Sequence, residues 1–471
     1  MTFDKLESDA WPACYEGDQH ISKILHVPYT YFPDAGGGTE VYVRALAQQL
    51  SACGYPSAVA APGSAPIGYD DGGLRVYRFP SDARPRLELA YGVPDEVAAK
   101  GFGTIVAQAR PDIVHLHALT SAVSERLVDV AHAAGARVVF TYHTPTASCS
   151  RGTMMLFGKT RCDGVIESKR CTACALSGLG VPQILAHVAA AIPDAAYAPA
   201  MMLAEHSKLL SMLRMPRFIA ASGRRFLDFI GKVDHVVAVS QWVSEVLKHN
   251  GVSAGKITLS RQGILMPEKM PRPMRRHGQA EPLKIAYFGR TDRSKGPDLL
   301  VRALKMIPGA NVRIDIFAIR QSAEPDRNYE WLETQARQDR RVNLAASIPP
   351  DKVIGLMTEY DLIAVPSRWL ETGPLVVLEA FAAGIPVLGA NLGGIAELVR
   401  DGVDGILVAP DDPVAWAATI RRLADDRRVI DRMRVGITPP RTMTAAADDM
   451  AKLYARILSS PLHDKRHHPV L

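Results

Sequence analysis

Pro366–Leu398 reads PSRWLETGPLVVLEAFAAGIPVLGANLGGIAEL. The apolar run Leu362–Val365 leads into it, so a buried strand should end near Ser367 and give way to a polar loop. A helix is then expected to begin around Gly373–Pro374, because proline fits the first helical turn, where its missing N–H costs nothing. The free N–H groups of Gly373, Leu375 and Val376 would point above the strand ends, and such a helix start attracts phosphate. Glu371 falls in the loop and Glu379 about two turns up the helix. On the residues alone two readings stand: a cap carboxylate with a solvated partner, or one carboxylate facing a sugar and the other a ribose.

Outward from this stretch the chain alternates short β-branched runs with longer amphipathic ones, the pattern of βαβ units around parallel sheets. In the first half the strand candidates are Ile21–Val27, Ser57–Ala61, Leu74–Phe79, Ile113–His117, Arg137–Tyr142 and His235–Val239. Helices are expected at Glu40–Ala52, closed by Gly54, and at Ala122–Ala134. The second half repeats the rhythm at Leu283–Phe288, Val312–Ala318, Val342–Ser347, Leu362–Val365, Val387–Ala390 and Ile406–Ala409. The implied organisation is an α/β protein with a first domain at 1–265, a linker at 266–282, a second domain at 283–438 and a final helix with a tail at 439–471. The linker, MPEKMPRPMRRHGQAEP, holds four prolines, and the helix is expected at about Met443–Leu458.

Length agrees: 471 residues are too many for one compact domain and suit two of roughly 200 residues each. With 47% hydrophobic and 22% charged residues, the chain is neither disordered nor fibrous. Its net charge of +6 can favour an anionic ligand or a lipid surface, but it is too dilute to argue for nucleic acid. The first twenty residues are polar and acidic, unlike a secretory signal, and no uninterrupted apolar run reaches about 18 residues. A cytoplasmic protein is therefore expected, with free or metal-bound thiols.

Three further segments carry candidate chemistry. IAYFGRTDRSKG, Ile285–Gly296, brings Arg290 and Lys295 to a strand's carboxyl end, where open α/β sheets bind ligands and a diphosphate needs positive charge. DAGGGTEVYV, Asp34–Val43, is a turn in which Gly36, Gly37 and Gly38 allow a ligand close to the backbone. It lacks the dinucleotide fingerprint, and its plain reading is a tight βα turn. VVFTYHT, Val138–Thr144, ends a strand at His143.

Glu371, seven residues, then Glu379-Ala-Phe-Ala-Ala-Gly-Ile-Pro-Val, with Gly393-Gly394 and Glu397 following, resembles the signature of glycosyltransferase family 4. These are retaining enzymes of the GT-B fold, two Rossmann-like domains facing a cleft. The Arg290–Lys295 element, Val237–Ser240 and Gln262-Gly263-Ile264 are similar to the family in the same order, although Asn usually stands at Gln262. The resemblance implies transfer of a sugar from a UDP- or GDP-linked donor to a glycan, lipid-linked or small-molecule hydroxyl, in polysaccharide or glycoconjugate biosynthesis. It implies that Arg290, Lys295 and the helix start at Gly373, Leu375 and Val376 hold the diphosphate, without a required catalytic metal. Glu379 would hold the ribose, Glu371 would position and stabilise the donor sugar, and His143 would lie near that sugar. A GT-B epimerase or hydrolase of nucleotide sugars, or a non-catalytic partner protein, are the rival readings.

The stretch from about 145 to 232 is longer than a βα unit needs. It holds Cys149, Cys162, Cys171 and Cys174, and the last two have the spacing of a zinc knuckle. A structural zinc held by four thiolates is one expectation; free buried cysteines or a 171/174 disulfide are the others. Downstream, Lys208–Lys232 mixes Arg214, Arg217, Arg224 and Arg225 with apolar residues. It suits an amphipathic helix pair packed on the first domain, or a peripheral contact with the inner face of a membrane.

Overall fold

The computed structural model describes residues 22–34, 37–82, 92–192, 208–267, 281–319 and 326–460, and the side chains of 208–214 are not described. Gly36, Cys14, most of the proline-rich linker and the basic tail lie outside the described residues, as does the side chain of Arg214.

The first sheet is built from β1 (Ile24–Val27), β2 (Ser57–Gly63), β3 (Ile67–Asp71), β4 (Leu74–Pro80), β5 (Ile113–Leu116) and β6 (Arg137–Tyr142). A small hairpin, β7 (Met155–Leu156) and β8 (Thr160–Arg161), precedes its last two strands, β9 (His235–Ala238) and β10 (Ile257–Leu259). The order is β10-β9-β6-β5-β1-β2-β4-β3, parallel except for the edge strand β3. Every residue of β1, β5, β6 and β9 is buried, because helices cover both faces. The second sheet comprises β11 (Leu283–Arg290), β12 (Val312–Ile319), β13 (Val342–Ala346), β14 (Leu362–Val365), β15 (Val387–Ala390) and β16 (Gly405–Val408). Its order, β13-β12-β11-β14-β15-β16, is fully parallel. Strand order reverses between β1 and β5 in the first sheet and between β11 and β14 in the second. Those reversals open a crevice above the strand ends.

Besides the β7–β8 hairpin, two strands of the first sheet were not expected. β3, IGYDD, is half-exposed and pairs antiparallel with β4, so it lacks the apolar run of a buried strand. β10 has only three residues. The helix expected to start at Gly373–Pro374 begins one residue later, at Leu375, with Pro374 in an extended cap conformation.

Two chain passes cross between the domains side by side. Ile264 donates its N–H to the Arg441 carbonyl at 3.1 Å and accepts from the Met443 N–H at 2.7 Å. Helix Met443–Ser459, capped by the Thr442 hydroxyl on the Ala445 N–H, then packs on helix Gly38–Ala52 of the first domain. Leu50 is fully buried in that seam and contributes on the order of 2 kcal/mol.

Between β6 and β9 the chain forms the β7–β8 hairpin and helices Ser168–Gly178, Gln183–Ala191 and Lys208–Lys232. The last is one continuous helix running through Pro216, not a pair. Phe226 and Phe229 are fully buried and meet Tyr142 and Phe140 edge-on, which fixes the helix against the first sheet while Arg224 stays exposed.

Candidate functional site

The second-domain half of the site sits at the reversal between β11 and β14. Arg290 ends β11, and the following loop turns back through Gly296 at φ +76°. A side chain at Gly296 would run into the Pro366 carbonyl, so glycine is required there. This turn carries Lys295 to Glu371, with Nζ to Oε1 at 2.7 Å. The same carboxylate oxygen accepts the Ser367 hydroxyl and the Trp369 indole N–H, each at 2.7 Å. Glu371 is buried, and the Trp369 ring lies 4.8 Å from Lys295 Nζ and 5.9 Å from the Arg290 guanidinium. Arg290 also pairs with Asp292 at 3.2 Å. Glu371 is therefore held from three sides, with two cations stacked beside it. Its backbone is fixed as well: Gly394 donates its N–H to the Glu371 carbonyl at 2.6 Å. A Cβ on Gly394 would lie 2.7 Å from that carbonyl oxygen, which explains the paired glycines.

Glu379 stands on helix Leu375–Ala382, half-buried, and desolvation raises its carboxyl to about 7. The start of that helix meets the start of helix Gly38–Ala52, since a Cβ on Gly38 would lie 3.4 Å from the Leu375 side chain. The glycine turn and the 373–376 backbone thus face each other across the domains. Glu40, which sequence reasoning passed over, is buried there, and desolvation raises its carboxyl against the pull of the nearby Arg290.

His143 is buried at the end of β6 with both ring nitrogens engaged. Nε2 lies 3.0 Å from His117 Nδ1, and His117 Nε2 lies 3.0 Å from His26 Nδ1. On its other side His143 Nδ1 meets the Gln262 amide at 3.1 Å. Burial lowers the basicity of His26 and His143 to about 3 and that of His115 and His117 well below the usual value, so the chain is neutral at pH 7. A donated proton from the Gln262 amide sets the direction of every bond in it, each imidazole accepting at Nδ1 and donating from Nε2. His115 stands apart, between Thr141 and Tyr454 at 2.6 Å each. His26, His115 and His117 bring ligand atoms within 4.8 Å of one another, but their nitrogens are committed to hydrogen bonds except His26 Nε2. The alternation in His115-Leu116-His117 was the visible signal that both rings share one face.

Contacts between the domains converge on the same loop. Trp242 donates its indole N–H to the Glu371 carbonyl at 2.8 Å, and the Thr372 hydroxyl donates to the His143 carbonyl. Glu397 accepts the N–H groups of Gln241 and Trp242 at 2.8 and 2.9 Å, capping a first-domain helix, and pairs with Arg261 at 2.8 Å. Leu370 donates its N–H to the Thr153 carbonyl of the insertion at 3.1 Å.

Cys149, Cys162, Cys171 and Cys174 lie in one region of that insertion, with Cys149 close enough to the other three to oppose their ionisation. All four are free thiols, and burial pushes Cys162, Cys171 and Cys174 up. The Phe157 N–H points at Cys174 Sγ at 3.1 Å and the Gly164 N–H at Cys162 Sγ at 3.5 Å. No three of these sulfurs come within 4.8 Å of one another.

Comparison with known proteins agrees with this geometry. Residues 36–264 match the family model Glycosyltransferase Family 4, and residues 273–437 match Glycosyl transferases group 1. The D-inositol 3-phosphate glycosyltransferase of Corynebacterium efficiens is 35% identical over 158 residues, covering 32% of this chain and 36% of that one. Its counterpart from Nocardia farcinica is 36% identical over 159 residues, 32% of this chain and 35% of that one. The chain thus matches about a third of the length of these curated relatives. Sucrose-phosphate synthase from Thermosynechococcus elongatus superposes with a TM-score of 0.63 at 20% identity, over 93% of this chain and 99% of that one. HepE of Anabaena, solved with UDP, superposes at 0.59 with 17% identity, over 92% and 100%. Two doubly wound sheets, a reversal point in each, and two family models that together run from residue 36 to 437 lead to one conclusion: the chain belongs to the family 4, group 1 glycosyltransferases and has the GT-B fold.

Proposed function

We propose that the protein transfers a hexose-type sugar from a nucleoside diphosphate donor to a hydroxyl acceptor with retention of anomeric configuration. The observation that carries this reading is the Lys295–Glu371 pair at 2.7 Å, stacked on Trp369 beside Arg290 at the reversal of the second sheet. The diphosphate lies over Arg290, Lys295 and the helix start at Gly373, Leu375 and Val376, which offset the charge that grows as it leaves. Glu379 accepts from the ribose hydroxyls. Glu371, oriented by Ser367 and Trp369, holds donor-sugar hydroxyls and stabilises positive charge at the anomeric carbon. The bond from that carbon to the phosphate oxygen breaks, the acceptor oxygen bonds on the same face, and the acceptor proton passes to the departing phosphate. His143 supports the sugar side, and Gly37 and Gly38 let the acceptor or a phosphate approach the backbone.

A uridine donor is favoured by the solved neighbour that carries UDP, and the acceptor is a glycan or a lipid-linked sugar in glycoconjugate assembly, used from the cytoplasmic side. No catalytic metal enters this scheme. The four cysteines are proposed to hold one structural zinc; the donor set suits it, although the sulfurs must draw together to about 3.7 Å for Zn–S bonds of about 2.3 Å. A panel of UDP- and GDP-sugars, assayed for nucleotide release with and without glycan and lipid acceptors, tests the reading. Acceptor-dependent release that is lost in Lys295→Ala supports it. Sugar isomerisation or hydrolysis independent of acceptor would favour the epimerase reading instead.

A further inference from the structure

From Cys171 to Pro193 the chain carries no Asp, Glu, Lys or Arg. Its second half forms helix Gln183–Ala191, and that helix is turned inside out. Alanines face inward, with Ala186 fully buried against Ala173, Leu176 and Ile219 and Ala189 and Ala190 packed beside it. The large side chains face outward: Ile184 is 80% exposed, Leu185 58% and Val188 59%, flanked by Leu179 and Ile192. Ile184, Val188 and Ile192 recur every four residues and so form one stripe. A surface helix of a water-facing protein places its large apolar residues the other way round.

We propose that Leu179–Ile192 is a membrane-docking element, its stripe dipping into the apolar layer beneath lipid headgroups. A lipid surface fits better than a second protein copy. Five large side chains, three on the helix and two flanking it, fall well below the about 20–30 residues a side of a stable interface. Burying this helix desolvates no charge, and cations on the neighbouring elements can meet anionic headgroups. Those cations are present. Exposed Lys159 sits in the hairpin turn whose Phe157 ring lies 5.3 Å from the His187 ring of the helix. Exposed Lys169 lies in the first turn of the neighbouring helix Ser168–Gly178. No helix among the described residues is long and apolar enough to cross a membrane, so the contact is on the surface. The insertion that carries this element touches the donor-site loop, because Thr153, just before the hairpin, accepts the Leu370 N–H. Docking by this element would present the cleft to a lipid-linked acceptor at the headgroup level. This assigns to a different element the membrane contact expected of helix Lys208–Lys232, whose Phe226 and Phe229 are buried on the first sheet.

Flotation of the full chain with phosphatidylcholine vesicles, and with vesicles containing phosphatidylglycerol, tests the proposal. The wild type is expected to float with both, more strongly with the anionic lipid. Ile184→Ser with Val188→Ser should lower partitioning on the order of tenfold or more while leaving the circular dichroism spectrum unchanged, since both positions are exposed. Ile184→Trp should give a blue-shifted emission on adding vesicles. Glu371→Ala should float like the wild type, which separates this proposal from the donor-site reading. Equal flotation of the double variant and the wild type would overturn it, as would no flotation at all. So would light scattering that shows a wild-type dimer made monomeric by the double variant, since the stripe would then cover a second copy.

Discussion

The indole N–H of Trp242 donates to the backbone carbonyl of Glu371 at 2.8 Å, one residue from each domain. The same carbonyl accepts from Gly394, so first-domain and second-domain donors share one oxygen. Trp242→Phe removes the N–H donor and one of the two fused rings of a buried side chain, so it leaves a small cavity as well. It should cost on the order of 2 kcal/mol of stability, read as a lower urea midpoint. Transfer should fall on the order of tenfold, because the loop carrying Glu371 loses its first-domain tether.

Lys295 and Glu371 answer to each other. Lys295→Ala should reduce kcat/KM on the order of a hundredfold or more, because a diphosphate loses one of its two cations. Glu371→Gln keeps the shape and two of the hydrogen-bond partners, so its circular dichroism spectrum should be unchanged while transfer is lost. Full activity in either variant would remove the proposed donor site.

Glu379 supplies a pH signature. With its carboxyl raised to about 7, it is mostly protonated at pH 6 and mostly ionised at pH 8. Ribose hydroxyls donate to the ionised form, so nucleotide affinity should rise across that window and binding should release protons. Calorimetry with UDP in buffers of different ionisation heat would measure the release. Glu379→Gln should flatten the profile.

The neutral histidine chain makes stability sensitive to acid. His26 and His143 titrate at about 3 when folded but at about 6.5 when unfolded. Their contribution is fully present above about 6.5 and is lost as pH falls toward 3, because the unfolded chain takes up the protons first. Thermal midpoints should drop steadily below about pH 6.5. His117→Ala should lower the midpoint at pH 7.5 as well, by leaving two buried ring nitrogens unpaired.

Metal analysis of purified protein is expected to find about one zinc per chain. Folded protein that is free of metal, with four titratable thiols in this region after denaturation, would end the zinc proposal.

Much of this architecture was readable in advance, for particular reasons. The inner strands β14 and β15 of the second sheet are apolar runs buried along their whole length, so their positions show directly in the residues. The Glu371 loop was legible because close backbone packing demands Gly393 and Gly394. β3 escaped because an edge strand with a charged end has no such pattern. The partners of Glu371 escaped for another reason. Ser367 and Trp369 precede it closely in sequence, but only the loop's path turns both inward, and nothing in their identity announces that. His26 and Gln262 are further still: 91 residues separate His26 from His117, and 119 separate Gln262 from His143. Such a chain exists only once the sheet has put its strands in order. The outward stripe of Gln183–Ala191 was hidden too, since apolar residues at helical spacing normally announce a core.

The paired passage at Ile264 and Thr442 sets how the two halves can move. A single linker is a swivel, free to bend and twist. Two strands laid side by side and hydrogen-bonded form a spine, and a spine permits folding about its own length while resisting twist and sideways slip. Opening the cleft for a nucleotide should therefore resemble a book opening along that line. Such opening must break the contacts that join the halves at Trp242 and Glu371 and at Thr153 and Leu370.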